Sequence, residues 1–292
     1  MNKISDGFRS LLQRIQPSRT EVVAAGKHLS AIETRLRAAF RLKKFFRAGS
    51  FSRGTSIRGK SDVDAYAVIS LDDIRWGSGW RASTTVLDNF RTDLSGRFPS
   101  TSVYRDVQAT VVDFAECRVD VVPAAWAGFS EQFKRPLYWI PDGGGNWMQT
   151  SPELHNDYLR RENTKSRGKL RAVAQLMKYW RECRSPRIPL SSFHIEMVLA
   201  SEGICRSVKS YAQLVEEVLQ SMAERDCAAI RDPFGISGNI PAIRTGAQRD
   251  AAVASVRSSR EHAKAALIAQ GHQDWHEAKR QWNIVFNYKF PA

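Results

Sequence analysis

The run Ala48-Gly49-Ser50-Phe51-Ser52-Arg53-Gly54-Thr55, followed by Lys60-Ser61-Asp62-Val63-Asp64, decides how this chain is read. Asp62 and Asp64 stand one residue apart where the strand-like stretch Ala65-Tyr66-Ala67-Val68-Ile69 begins. Side chains two apart on a strand project from the same face. Both carboxylates therefore point into one small volume, where like charges repel unless cations fill the gap. Sites built of bridging carboxylate oxygen favour Mg²⁺ or Mn²⁺. A third acid, Asp120, sits in Arg118-Val119-Asp120-Val121-Val122, a strand that should be buried. An acid in such a place is costly unless paired or metal-bound. It either completes the site or pairs with a basic residue such as Arg118.

Two divalent ions about 3.5–4 Å apart, held by three carboxylates, suit in-line phosphoryl chemistry. One would activate an attacking hydroxyl; the other would neutralise charge on a triphosphate and its leaving pyrophosphate. Gly49 and Ser50 supply what remains. A glycine lets backbone approach phosphates closely, and free N–H groups at a helix start with a serine hydroxyl bind their oxygens. Asp-x-Asp pairs and Gly-Ser turns are common singly. The ordered set of strand, Gly-Ser, gap, Asp-x-Asp entering a strand and later strand Asp is far more specific.

Working outward, the 292 residues fall between one large domain and two ordinary ones, and 42% apolar content with eight tryptophans provides a proper core. No apolar run approaches the ~18 residues of a membrane helix, and the first residues lack a signal-peptide pattern. Cys117, Cys183, Cys205 and Cys227 lie far apart without a CxxC pair, which suits reduced thiols and a cytoplasmic protein. The net charge of +14 implies a polyanionic partner without saying which.

The pattern predicts helices over 5–16 and 20–45, a first strand over 44–48, a turn or short helix at 52–55, and a second strand over 64–69. A loop at 76–83, a helix over 84–97 and strands over 108–114 and 118–122 follow, the last stopped by Pro123. Residues 138–153 read as loop, because Pro141, Gly143 to Gly145 and Pro152 interrupt regular structure. Helices are predicted over 168–183, 191–200, 208–229, 249–270 and 273–285. The shift near residue 155 gives an α+β chain: residues 1–155 as a sheet domain with N-terminal helices, and 156–292 as a helical lobe.

On these residues the chain resembles the polymerase-β-type nucleotidyltransferases and, more closely, the bacterial cGAS/DncV-like nucleotidyltransferases (CD-NTases). The likeness continues through Val119-Asp-Val-Val-Pro123, Trp147-Met-Gln-Thr-Ser-Pro152, Leu176-Met-Lys-Tyr-Trp180, Ser191-Ser-Phe-His-Ile-Glu196 and Asp232-Pro-Phe-Gly235 with Gly238-Asn239. The resemblance implies a palm-like sheet domain packed against a helical lobe, with an N-terminal spine helix and the active site in the cleft. It implies a template-independent synthase joining nucleoside triphosphates, usually into a cyclic oligonucleotide for anti-phage signalling. Asp62, Asp64 and Asp120 would hold Mg²⁺ or Mn²⁺, and Gly49, Ser50 and Ser61 would lie against triphosphate. Lys178 and Ser192 would reach donor phosphates, and Asn163 would read a base edge. Some members of the family are switched on by nucleic acid, so an RNA or DNA activator and defence-operon partner proteins are candidates here.

Blander readings stand beside these. Lys178 borders the apolar stripe Leu170, Val173, Met177 and Trp180, from which a lysine can snorkel to a cleft or simply to solvent. Ser192 suits an N-cap, and Asn163 an ordinary loop. His272 and His276, four apart on a predicted helix, read as surface histidines. Six cations, Arg160, Arg161, Lys165, Arg167, Lys169 and Arg171, suit nucleic-acid phosphates, bound triphosphate or a solvated face. Two other functions stay open: nucleotide transfer to an RNA end or a protein, and a nucleic-acid-binding protein that has lost its chemistry.

Overall fold

The computed structural model describes residues 3–60, 62–243 and 245–291. The chain is α+β and divides into two compact units, Pro17–Asp157 and a second made of Met1–Gln16 with Tyr158–Ala292. The first helix, α1 (Lys3–Ile15), thus belongs with the helical residues and not with the sheet, as its sequence position suggests. The cause is aromatic packing across nearly the whole chain length. Phe8 meets Trp282 at 4.9 Å and Phe290 at 5.0 Å between ring centroids, both edge-on. Gly7 leaves room for this: a Cβ there would lie 2.6 Å from the Phe290 ring.

The sheet unit opens with α2 (Arg19–Ala39), started by a capping box of Ser18 and Glu21. It stops before the aromatic run, because Phe40 adopts extended backbone, so the helix predicted to 45 ends six residues early. Then come β1 (Leu42–Arg47), α3 (Gly49–Arg53), β2 (Val63–Ile69), α4 (Leu71–Ile74), β3 (Arg75–Trp76), β4 (Gly79–Trp80) and α5 (Ser83–Arg97). The expected loop at 76–83 is a small β3–β4 hairpin in its first half. The unit continues with β5 (Ser102–Asp106), β6 (Ala109–Asp113), β7 (Arg118–Ser130), β8 (Arg135–Pro141) and β9 (Trp147–Thr150).

Seven strands form one sheet in the order β1-β2-β7-β6-β5, with β8 pairing β7 and β9. β2 and β7 run parallel, and the other pairs in this sheet are antiparallel. β7 does not stop at Pro123. Pairing with β6 ends at Val121 and pairing with β8 begins at Ala125, so the missing N–H of Pro123 falls between them. Residues 138–153, expected as loop, are largely the β8–β9 hairpin; its glycines make the turn, where Asp142 accepts N–H bonds from Gly144 and Asn146.

One sheet face is apolar. Ala25, Leu29, Ile32 and Leu36 of α2, with Val86, Phe90 and Leu94 of α5, share a core with Val63, Ala65, Ala67, Val119 and Val121. Burying the Val, Leu, Ile and Phe side chains among them contributes roughly 1.5–3 kcal/mol each, and burial of the strand residues fixes register, since a one-residue slip would turn them outward. The opposite face holds a smaller cluster that includes Val68, Val122, Ala124 and Tyr138.

The division between units falls inside α6 (Pro152–Lys165), a helix the sequence pattern does not predict. The helical unit then runs through α7 (Lys169–Glu182), α8 (Ser192–Ser201), α9 (Tyr211–Glu224), the short pair β10 (Ile230–Arg231) and β11 (Asn239–Ile240), α10 (Gly246–Gly271) and α11 (Trp275–Val285). Inside it, Trp180 donates its indole N–H to Ser259 at 2.9 Å, both buried. His272 caps α10 while His276 lies in α11, so the two do not share a helix face. All four cysteines are free thiols. Among the described residues, no helix is long and apolar enough to cross a membrane.

Candidate active site

Alternation along β2 settles where the acids point. Val63, Ala65 and Ala67 fill the core, so Asp64 faces the other side; on β7, Val119 and Val121 do the same for Asp120. Asp64 and Asp120 are direct partners in the parallel β2–β7 register, which sets them side by side on that opposite face. Asp62, two residues upstream, joins them through Arg118. The Arg118 Nε lies 3.1 Å from Asp62 Oδ1 and 3.0 Å from Asp120 Oδ1. Its Nη2 lies 3.3 Å from Asp120 Oδ2 and 3.5 Å from Asp106 Oδ2.

One guanidinium therefore gathers carboxylates from three segments: the entrance of β2, the start of β7 and the end of β5. Partial burial works against the charge on Arg118, but the hydrogen bond and charge of Asp120, with the charge of Asp62, outweigh it and raise its pKa. Asp106 carries no sequence motif, and only the β5–β6 pairing brings it here.

Gly49 is required by the same geometry. It opens α3 at φ +62, and a Cβ on it would lie 1.6 Å from Asp64 Oδ2. The Ala48 N–H donates to the Asp64 carbonyl at 2.9 Å, tying the segment ahead of α3 to β2. Ser50 is the second residue of α3, and its carbonyl accepts the N–H of Gly54 and of Thr55. Ser61 lies outside the described residues.

The remaining candidates lie in the helical unit, and there the structure corrects the sequence expectations. Asn163 is not in a loop but in α6. Its side-chain oxygen accepts the N–H of Arg171 at 2.9 Å in the first turn of α7, and its carbonyl accepts from Gly168. That oxygen is spent on holding α7. Lys178 does not snorkel: it is 3% exposed and forms a buried ion pair with Glu196 of α8, which is 0% exposed. Ser192 is the first residue of α8, but the cap is Ser191, whose side chain accepts the His194 N–H at 3.3 Å. In the basic run, Arg160, Arg161, Lys165, Arg167 and Arg171 are exposed; Lys165 pairs with Glu162, and the half-buried Lys169 donates to the Lys209 carbonyl.

Among the described residues, no three His, Cys, Asp or Glu side chains already form a group that would hold a metal ion. A cation, Arg118, instead stands at the point where Asp62 and Asp120 converge. The donors are all carboxylate oxygen, and a positive group already sits at their meeting point, so the residues fit a hard divalent ion.

Residues 1–163 match the Second Messenger Oligonucleotide or Dinucleotide Synthetase domain. Over 281 residues the chain is 24% identical to a probable cyclic nucleotide synthase of Bacillus cereus (strain VD146), covering 86% of this chain and 83% of that one. Over 222 residues it is 25% identical to a cyclic AMP-AMP-AMP synthase of Escherichia coli (strain MS 115-1), covering 72% and 65%. In fold it is similar to E. coli MS115-1 CdnC solved with ATP, with a TM-score of 0.75 at 20% identity, covering 100% of this chain and 99% of that one.

Proposed function

The chain belongs to the second messenger oligonucleotide or dinucleotide synthetase family, and from that premise we propose that it joins nucleoside triphosphates, without a template, into a cyclic oligonucleotide signal, releasing pyrophosphate. It is a nucleotidyltransferase. The observation that carries the reading is the pairing of Asp64 with Asp120 in register, on the face that also receives Asp62 through Arg118. The names of the relatives, a cyclic nucleotide synthase and a cyclic AMP-AMP-AMP synthase, favour a cyclic product. We place it in the cytoplasm, in anti-phage signalling.

The family uses divalent metals for nucleotide catalysis. In our reading Asp62, Asp64 and Asp120 hold two Mg²⁺ or Mn²⁺ ions. Bound there, such ions make a hydroxyl a better nucleophile and neutralise the charge that grows on the leaving pyrophosphate. The chain does the rest. Gly49 keeps the space beside Asp64 open, the Ser50 hydroxyl donates to a phosphate oxygen, and Asp120 takes the proton from the attacking hydroxyl. Ser192 is the helical unit's candidate phosphate contact. Lys178 acts through Glu196 on α8, the helix that begins at Ser192, and does not touch phosphate itself.

Four labelled triphosphates with Mg²⁺ or Mn²⁺ provide the test. A small phosphatase-resistant product, identified by mass spectrometry, is expected. Label on added RNA or protein would mean end-transfer instead, and silence with tight RNA binding would mean lost chemistry. The exposed cations Arg160, Arg161, Lys165, Arg167 and Arg171 also suit an RNA or DNA activator held by its phosphates, so activation should fall steeply as salt rises. Complex formation of CdnC with HORMA-deltaN makes a protein partner from the same operon worth seeking here.

A further inference from the structure

We propose that Arg118 is an internal counter-ion that holds Asp62 and Asp120 until divalent metal arrives and then withdraws onto Asp106, so that metal entry and Arg118 release are one event. The inference rests on the metal-binding reading of the three acids above and goes beyond it. Arg118 lies two residues ahead of Asp120 on β7, so its side chain shares the acids' face. Its Nε is 3.1 Å from Asp62 Oδ1 and 3.0 Å from Asp120 Oδ1, so the guanidinium engages the same two carboxylates that a divalent ion would take.

A guanidinium stays protonated at any working pH. It therefore cannot make way by losing its charge, as a lysine or histidine can. It has to move. Its Nη2 already lies 3.5 Å from Asp106 Oδ2, at the end of β5, so turning the side chain toward Asp106 keeps an ionic partner without moving the backbone. The side chain is 26% exposed, which leaves it room to turn. The charges explain why such a device is useful. Asp62, Asp106 and Asp120 each bring a negative charge to the same guanidinium, that of Arg118. The guanidinium thus steadies the crowded acids of the metal-free chain while leaving a net attraction for a doubly charged ion. The acids stay ordered for metal, at the expense of weaker metal binding.

The experiment uses the full chain without nucleotide. Mn²⁺ affinity is measured by electron paramagnetic resonance for the natural protein, R118M, D106N and the double variant, and the Arg118 Nε–H resonance of the natural protein is followed through a Mg²⁺ titration. R118M should bind Mn²⁺ about tenfold more tightly, a change of about 1.4 kcal/mol. D106N should weaken binding several-fold in the natural chain and distinctly less in R118M, the mark of coupling between the two side chains. The Arg118 Nε–H should shift and exchange faster as Mg²⁺ binds. Equal Mn²⁺ affinity in R118M, or an Arg118 resonance that ignores bound Mg²⁺, overturns the proposal while the metal site stands. Absence of binding in every protein overturns both. If R118M does not fold, the titration of the natural chain still decides.

Discussion

Two of the places where this protein sets a basic side chain against carboxylates are built in opposite ways. In the helical unit, Lys178 of α7 and Glu196 of α8 are both buried and form an ion pair. In the sheet unit, Arg118 is partly exposed and faces Asp62, Asp106 and Asp120 together, with Asp64 beside Asp120 in register. The first sets a buried cation against a buried anion and suffers if either half is removed. The second gathers three carboxylates onto one guanidinium, an arrangement that favours a further cation. Charge balance, more than the presence of charge, separates a positioning pair from a reacting centre.

The largest effect expected from this contrast is on turnover. Asp62→Ala with Asp64→Ala should lower product formation by at least about a thousandfold, about 4 kcal/mol of lost transition-state stabilisation. The circular dichroism spectrum and thermal midpoint should barely change, because the variant relieves repulsion at the rim of the sheet and leaves the core untouched. Retained turnover would erase the distinction at once.

Next is the buried pair. Lys178→Met should destabilise the chain by about 3–5 kcal/mol, because it strands the Glu196 charge in the interior. Adding Glu196→Leu should recover most of that loss, since a well-packed apolar pair replaces a buried ion pair at little cost. Urea unfolding reads both. A Lys178→Met chain that unfolds like the natural one yet loses triphosphate affinity would make Lys178 a direct ligand and break the comparison.

Gly49→Ala sharpens it from the acid side. The new methyl would lie where Asp64 Oδ2 now is, on backbone at φ +62. A loss of about 1–3 kcal/mol in stability is expected, with activity down at least about tenfold. Activity falling far more than stability would show that the carboxylate, and not the turn, is what the glycine protects.

How much of this was readable beforehand follows from the range of each interaction. The acids on β2 and β7 were legible because period-two alternation beside apolar residues fixes a strand's faces locally. Gly49-Ser50 was legible as punctuation before a helix. Asp106 was not, since only strand pairing brings it to Arg118. The placement of α1 was hidden for a similar reason: Phe8 and Phe290 meet from opposite ends of the chain. Pro123 and the glycines at 143–145 misled because a breaker in sequence is harmless where pairing switches partner or a hairpin turns. For Lys178, the sequence shows a stripe edge, but the facing Glu196 that draws it inward comes from another helix.

The smallest effect concerns a carboxylate that ties a helix cap to the segment ahead of Asp62. Glu21 Oε2 accepts the Ser18 N–H at 2.6 Å, closing the cap of α2, and its Oε1 accepts the Gly59 N–H at 2.7 Å in the segment that leads to Asp62. Burial opposes ionisation of Glu21, but the donors from Ser18 and Gly59 and the charge of Arg58 outweigh it, and its pKa lies below the usual 4.5. A depressed carboxylate contributes stability that is fully present above its unfolded pKa and is lost as pH falls through the folded value. Glu21→Gln should therefore cost about 1 kcal/mol at pH 7, in the range of a lost cap, and the gap from the natural chain should close below pH 4.5. Amide exchange at Gly59 gives the finer reading. It should quicken in the variant at pH 7 and match the natural chain in acid, because protonating Glu21 removes the same acceptor charge that the substitution removes. Both oxygens of Glu21 are committed to backbone donors, so its loss should loosen the approach to Asp62 without any direct effect on metal.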